Sequence, residues 1–295
     1  MKIIYFLIGL CMFQFCLNAQ HLNREISTVN QYPYLLGKID KSGLERENYA
    51  SWFNANYEDY QPNNTIISEF ASKLKSYEIK LFMGTWCGDS KREVPRFYKI
   101  LETANFPMKQ LTLVAVSREP KMYKQSPEHE DAGLNIHRVP TVIFFKNGKE
   151  VNRIVEQPVL SLEEDIKKII ITNDYEPNNK IVSVIDEILK SKGTKGLKRE
   201  SEKLLKAYEG KVSNMYELNT YGRILHGTNR TEEAIAVYRF NTILFPNDSK
   251  TYMSLANILG ASGQKNKAIK VLENALLKLP NNKDLKENLK AIKSN

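Results

Sequence analysis

The sequence predicts two parts: an α/β domain with a mixed central sheet flanked by helices, then an all-α domain of helical repeats. Three observations predict this. Short apolar strands alternate with amphipathic helices between residues 62 and 172. Within that stretch, two strand-like runs bracket Asn147-Gly148, a dipeptide suited to the two left-handed positions of a tight hairpin turn. Further on, apolar and small residues recur with a 34-residue period.

The first segment, "MKIIYFLIGLCMFQFCLNAQ", has one basic residue, Lys2, then an apolar run from Ile3 to Leu17 and a small Ala19. That order is the pattern of a secretory leader, cut after Ala19. The bulky Leu17 keeps an uncleaved anchor open as a second reading, and lipidation at Cys16 is weakly supported. The expectation is a bacterial periplasmic or secreted protein. Cys11 and Cys16 would leave with the leader, and Cys87 would then stand alone in an oxidising compartment, with no internal disulfide. Residues 20–61 hold few clear periods but many aromatics, among them Tyr34, Tyr49, Trp52 and Phe53. They read as an N-terminal extension packed on the next domain.

Apolar Ile67, Phe70, Ala71 and Leu74 fall at helical spacing. "IKLFMG" (79–84) is a short strand, followed by a helix over about 86–101. "LTLVAVS" (111–117) is a second strand, and a polar loop with a short helix covers 118–136. "TVIFFKNGKEVNRIVE" (141–156) is the hairpin. Ser161 then opens a helix, with Glu164 three residues on as a capping box. The polar stretch 173–182 is a linker to a helical domain over 183–295.

In that domain Ala234 and Ala268 lie 34 residues apart, as do Pro246 and Pro280, and "AIAVYRFNTILFP" registers on "AIKVLENALLKLP". Small residues fit where two helices approach closely, and a proline stops a helix. Residues 215–281 thereby resemble tetratricopeptide repeats. Residues 180–212 form an irregular leading helix pair and 284–293 a capping helix.

The chemistry centres on "GTWCGDSKREVP". Trp86-Cys87-Gly88 follows a buried strand and opens a helix, Pro95 lies inside that helix, and Val139-Pro140-Thr141 precedes an apolar strand. Together these resemble the thioredoxin superfamily over residues 62–172. The resemblance implies that Pro140 is cis and packs beside Cys87, with backbone groups of Val139, Pro140 and Thr141 free to pair with an extended peptide. It also makes Cys87 the nucleophile and Trp86 a contact for substrate. A cysteine at a helix N-terminus meets the positive end of the helix dipole, which favours thiolate. Lys91 and Arg92 add positive charge and Asp89 opposes them.

Two departures restrict this chemistry. The second cysteine of a dithiol site is replaced by Ser90, whose hydroxyl is expected to bond the thiolate but cannot resolve a mixed disulfide. The acid that the family places six residues before the cysteine is Leu81 here. Three routes remain. In one, Cys87 forms mixed disulfides that an outside thiol resolves, acting as an isomerase or chaperone on exported clients. In another, both domains form a non-enzymatic adaptor that binds peptides. In the third, a peroxide oxidises Cys87 to a sulfenic acid.

No nucleic-acid partner is expected: the formal charge of +9 is spread over polar helical faces rather than gathered in a basic run. His21, His129, His137 and His226 lack metal-ligand spacing, so neither a metal nor another cofactor is expected, and no membrane partner beyond the leader. His137 reads as an ordinary loop histidine, with a place lining the groove as the alternative, and Glu156 as a surface carboxylate. Partners are expected to be exported clients or their thiols, plus a peptide on the helical repeats.

Overall fold

A computed structural model describes residues 22–294; the leader with its cleavage point after Ala19, and Cys11 and Cys16, lie outside the described residues. A two-stranded hairpin, β1 (Glu25–Thr28) with β2 (Gln31–Leu35), comes first. The main sheet has five strands in the order β3-β5-β4-β6-β7: β3 (Gly37–Ile39), β4 (Glu78–Met83), β5 (Leu111–Ala115), β6 (Thr141–Lys146) and β7 (Lys149–Val155). Strands β4 and β5 are parallel, and the other pairs are antiparallel. Asn147 and Gly148, both at positive φ (51° and 73°), close the β6–β7 hairpin as their sequence predicts.

Side chains alternate across this sheet with period two. Ile79, Leu81, Met83, Leu113, Ala115, Val142, Phe144 and Ile154 enter the larger core. That core is closed by α2 (Glu47–Asp59), α3 (Asn64–Leu74), α4 (Gly88–Thr103) and α5 (Leu162–Lys167), after a one-turn α1 (Lys41–Leu44). Phe82, Val114, Val116 and Ile143 face the other way, into a smaller cluster with Ile136 and Val139, against which Trp86 and Cys87 pack. The loop between β5 and β6 covers that face with a single 3₁₀ turn at Pro120–Met122.

The N-terminal segment does more than pack on the domain. Residues 37–39 add the β3 edge strand, Tyr49 and Phe53 of α2 are fully buried, and Leu35 N–H donates to Thr85 Oγ1 at 3.0 Å. The α/β domain therefore begins well before residue 62. The expected linker is also tied down: Tyr175 is buried in the main core and donates to Asp165 at 2.9 Å.

The rest of the described chain is helical. Helix α6 (Lys180–Tyr208) is broken at Gly193 (φ 62°), which divides it into the two segments expected of an irregular leading pair. Two hairpins follow, α7 (Tyr216–Gly227) with α8 (Thr231–Leu244), then α9 (Ser249–Ala261) with α10 (Lys265–Lys278), and α11 (Lys283–Ser294) ends the described chain. Helices α8 and α10 start and stop 34 residues apart. Ala234 and Ala268 are wholly buried at the crossings. At Gly222 a Cβ would come within 2.8 Å of the Tyr238 ring, so close helix approach is what demands the small residue.

Candidate functional site

Cys87 is the N-cap of α4, at the end of the turn that leaves β4. It is half-buried, and it is the free cysteine of the described residues. Its Sγ donates to the Val139 carbonyl at 3.2 Å. The Val139–Pro140 peptide is cis, and both residues are buried. Three of the residues expected to make the site, Cys87, Val139 and Pro140, are therefore brought together from positions more than fifty apart in the chain.

Thr141 leads into β6 and lies beside them. Its hydroxyl donates to Arg138 O at 2.8 Å, so it braces the turn ahead of the cis bond. Trp86 forms a wall of the site. Its indole N–H donates to Val116 O at 3.0 Å and its ring lies 6.3 Å from that of Tyr123. Gly84 is obligatory against this ring, because a Cβ there would sit 2.6 Å from Trp86 Cε2.

Several expectations need correction. Ser90 is fully buried and its hydroxyl accepts from Gly84 N–H at 3.2 Å; its hydrogen bond is made to the strand–helix turn rather than to the thiol. The backbone of Val139 and Pro140 is not free for a peptide, since Val139 O receives the thiol and Pro140 O receives Glu156 N–H at 2.7 Å. Lys91 lies 5.9 Å from the Trp52 ring, and Arg92 is held by Asp89 (2.9 Å) and Glu93 (2.6 Å), so these cations have other partners. Glu156 is no simple surface carboxylate: it pairs with Arg138 at 3.0 Å directly after β7.

The β5–β6 loop supplies residues that the sequence did not single out. Lys124 is 5% exposed and its Nζ donates to His137 O at 2.7 Å. Burial pulls its proton affinity down to about 8; Arg138 pushes the same way, while Cys87 and Glu156 act against it. Tyr123 is pushed up, chiefly by burial. No motif marked Tyr123 or Lys124, and a lone "YK" in a polar loop carries no periodic signal.

The helical domain reaches this same loop. Arg223 of α7 lies 3.8 Å from the Tyr123 ring centre, and Gln125 Nε2 donates to Gly227 O at 3.4 Å. The His137 ring meets Tyr221 edge-on at 6.3 Å. His137 is accordingly a buried residue at the contact between domains, and burial lowers its basicity to about 3. Its Nδ1–H faces Asn135 O at 3.1 Å. Among the described residues no cluster of three or more His, Cys, Asp or Glu side chains is arranged to hold a metal.

No protein-family model matches the chain. Among curated proteins, the "Thioredoxin-like protein R548" of Acanthamoeba polyphaga mimivirus is 31% identical over 108 residues, which span 35% of this chain and 69% of the viral protein. A mixed sheet carrying Cys87 at a helix start beside a cis-proline agrees with that similarity. On these grounds the chain belongs to the thioredoxin-like proteins.

Proposed function

We propose that this is an exported thioredoxin-like protein that acts on protein thiols and disulfides through Cys87 as a single nucleophile. The observation that carries the reading is the position of Cys87: half-buried, at the first turn of α4, against the carbonyl next to the cis-proline. The unpaired N–H groups of a helix start stabilise a developing thiolate.

The exchange balances without a second cysteine in the site. The Cys87 thiolate attacks one sulfur of a client disulfide, a new S–S bond forms, and the client's other sulfur leaves as thiolate. A second thiolate, from the client or from a small external thiol, then attacks the mixed disulfide and returns Cys87. The bond from Sγ to Val139 O exists only while Cys87 carries its proton, so ionisation also releases that carbonyl for a client backbone N–H. The paired helices read as tetratricopeptide-like repeats that hold another part of the client.

Mixing the purified protein with a scrambled, disulfide-bonded model protein is expected to give a covalent complex on a non-reducing gel. Cys87→Ser is expected to abolish it, and dithiothreitol to reverse it. Absence of any such complex with the native protein, under conditions where Cys87 still alkylates, overturns the reading. A second reading, a non-covalent adaptor, draws on the packing of Cys87 with Val139 and Ile136 against the sheet, the place of a core residue. It predicts that Cys87→Ser binds clients as well as the native protein does.

A further inference from the structure

The cations nearest Cys87 in sequence are engaged elsewhere: Lys91 at the Trp52 ring, and Arg92 between Asp89 and Glu93. Leu81, at the position where the family places an acid, is buried among apolar neighbours. A positive charge nevertheless acts on this site through space: the Lys124 ammonium, bonded to His137 O, feels the Cys87 sulfur electrostatically. The Trp86 and Tyr123 rings lie against each other, which brings the 123–124 pair alongside the 86–87 pair.

The backbone holds Lys124 in this place. Lys124 N–H donates to Ser117 O at 2.8 Å and Ser117 N–H to Gln125 O at 2.9 Å, a closed loop that sets Lys124 at φ 59°. A long side chain at positive φ is uncommon and calls for a reason. The side chain then runs inward to His137 O, two residues before the carbonyl that receives the thiol.

A buried ammonium is ordinarily matched by a carboxylate. Among the described residues Lys124 has none within ion-pair distance. Glu156, an acidic side chain that acts on it, is paired with Arg138. The other groups facing Lys124 are Tyr123 on its own loop, His137 and Arg138 ahead of the cis-proline, Arg223 of α7 and Cys87 itself. Of these, Cys87 is the thiol, and its ionisation supplies Lys124 with a counter-charge.

We propose that Lys124 is a positioning residue of the thiol site, whose ammonium stabilises the Cys87 thiolate and so sets the pH at which the cysteine becomes nucleophilic. The thiol proton passes to solvent, and Lys124 keeps its own. With a proton affinity near 8, Lys124 remains charged at neutral pH in about nine molecules of ten. The inference rests on the thiol reading above, but its test does not require a client.

The test is the pH dependence of Cys87 alkylation by iodoacetamide in the native protein, Lys124→Gln and Lys124→Arg. The Gln amide can still donate to His137 O but carries no charge, whereas Arg keeps the charge. Lys124→Gln is expected to move the rate profile to higher pH and slow alkylation about tenfold near pH 6.5, with Arg restoring it. A Gln profile that coincides with the native one, with the fold retained by circular dichroism, overturns the proposal and leaves Lys124 as a loop brace.

Should Lys124→Gln not fold, the reciprocal measurement decides. The Lys124 side chain is followed by NMR through its titration near pH 8, in native protein and in Cys87→Ser. Loss of the thiolate is expected to lower the midpoint, because coupling between two sites is mutual. An unmoved midpoint overturns the proposal. If alkylation responds to Lys124 but no client complex ever forms, the charge pairing stands and the exchange function fails.

Discussion

At the residue scale, the Ser90 hydroxyl is a structural group and Cys87 the proposed chemical one, though they lie one helical turn apart. Ser90 holds Gly84 N–H inside the fold, while the Cys87 sulfur points across to Val139 O. Ser90→Cys places a second sulfur at the spacing of a dithiol pair, and the variant is expected to close an internal disulfide on mild oxidation. Mass spectrometry checks this as a loss of two hydrogens with no alkylatable thiol left. Two persistent thiols would mean that the Val139 contact holds Cys87 out of reach. The reduced variant loses one buried hydrogen bond and is expected to be less stable by about 1 kcal/mol. The position of Cys87 was legible at this scale, because a cysteine ahead of a helix is a local pattern. The residues around it were not, because Lys124 is turned inward to His137 O by a loop fold that no short stretch encodes.

At the element scale, the β4–α4 turn is the joint that positions the site, and Gly84 is its tightest point. Its φ is ordinary; what excludes a side chain is the Trp86 ring, anchored by its N–H to Val116 O. Gly84→Ala is expected to cost roughly 1–3 kcal/mol through overpacking and to alter Trp fluorescence, read from denaturant midpoints. An unchanged midpoint would mean that the indole can swing away. The hairpin and the 34-residue helix pairs were legible because each rests on contacts close in sequence. The β3 strand was not: three residues, Gly37–Ile39, pair with 113–115, and three residues carry no measurable period. In the β5–β6 loop the expected short helix is present as a three-residue 3₁₀ helix, Pro120–Met122, but the closed backbone ring beside it carries no sequence signal.

For the whole molecule, the decisive feature is that the helical domain meets the β5–β6 loop beside the thiol. His137 is sealed there against Tyr221, its basicity lowered to about 3 mainly by burial, and also by Lys124, Arg153 and Arg138. A base whose folded affinity lies below its unfolded value of 6.5 stabilises the fold fully above pH 6.5, and that stability drains away as pH falls toward 3. His137→Phe keeps a ring against Tyr221 and removes the titration. Its unfolding free energy should therefore fall less steeply between about pH 6 and 4, by about 1 kcal/mol per pH unit. Parallel curves for the two proteins in chemical denaturation would show that His137 can be protonated in the fold. The sequence by itself determined the two-part architecture, a cysteine at a helix start and the lack of a partner thiol at Ser90, because periodicity, helix starts and missing residue types are local properties. Tertiary structure alone decided what surrounds that cysteine: Val139 O occupied, Lys91 and Arg92 engaged elsewhere, Lys124 buried against His137 O and His137 against Tyr221. The reason is physical. Charge and burial act through space, and their strength depends on distances and desolvation that arise only when remote segments pack together.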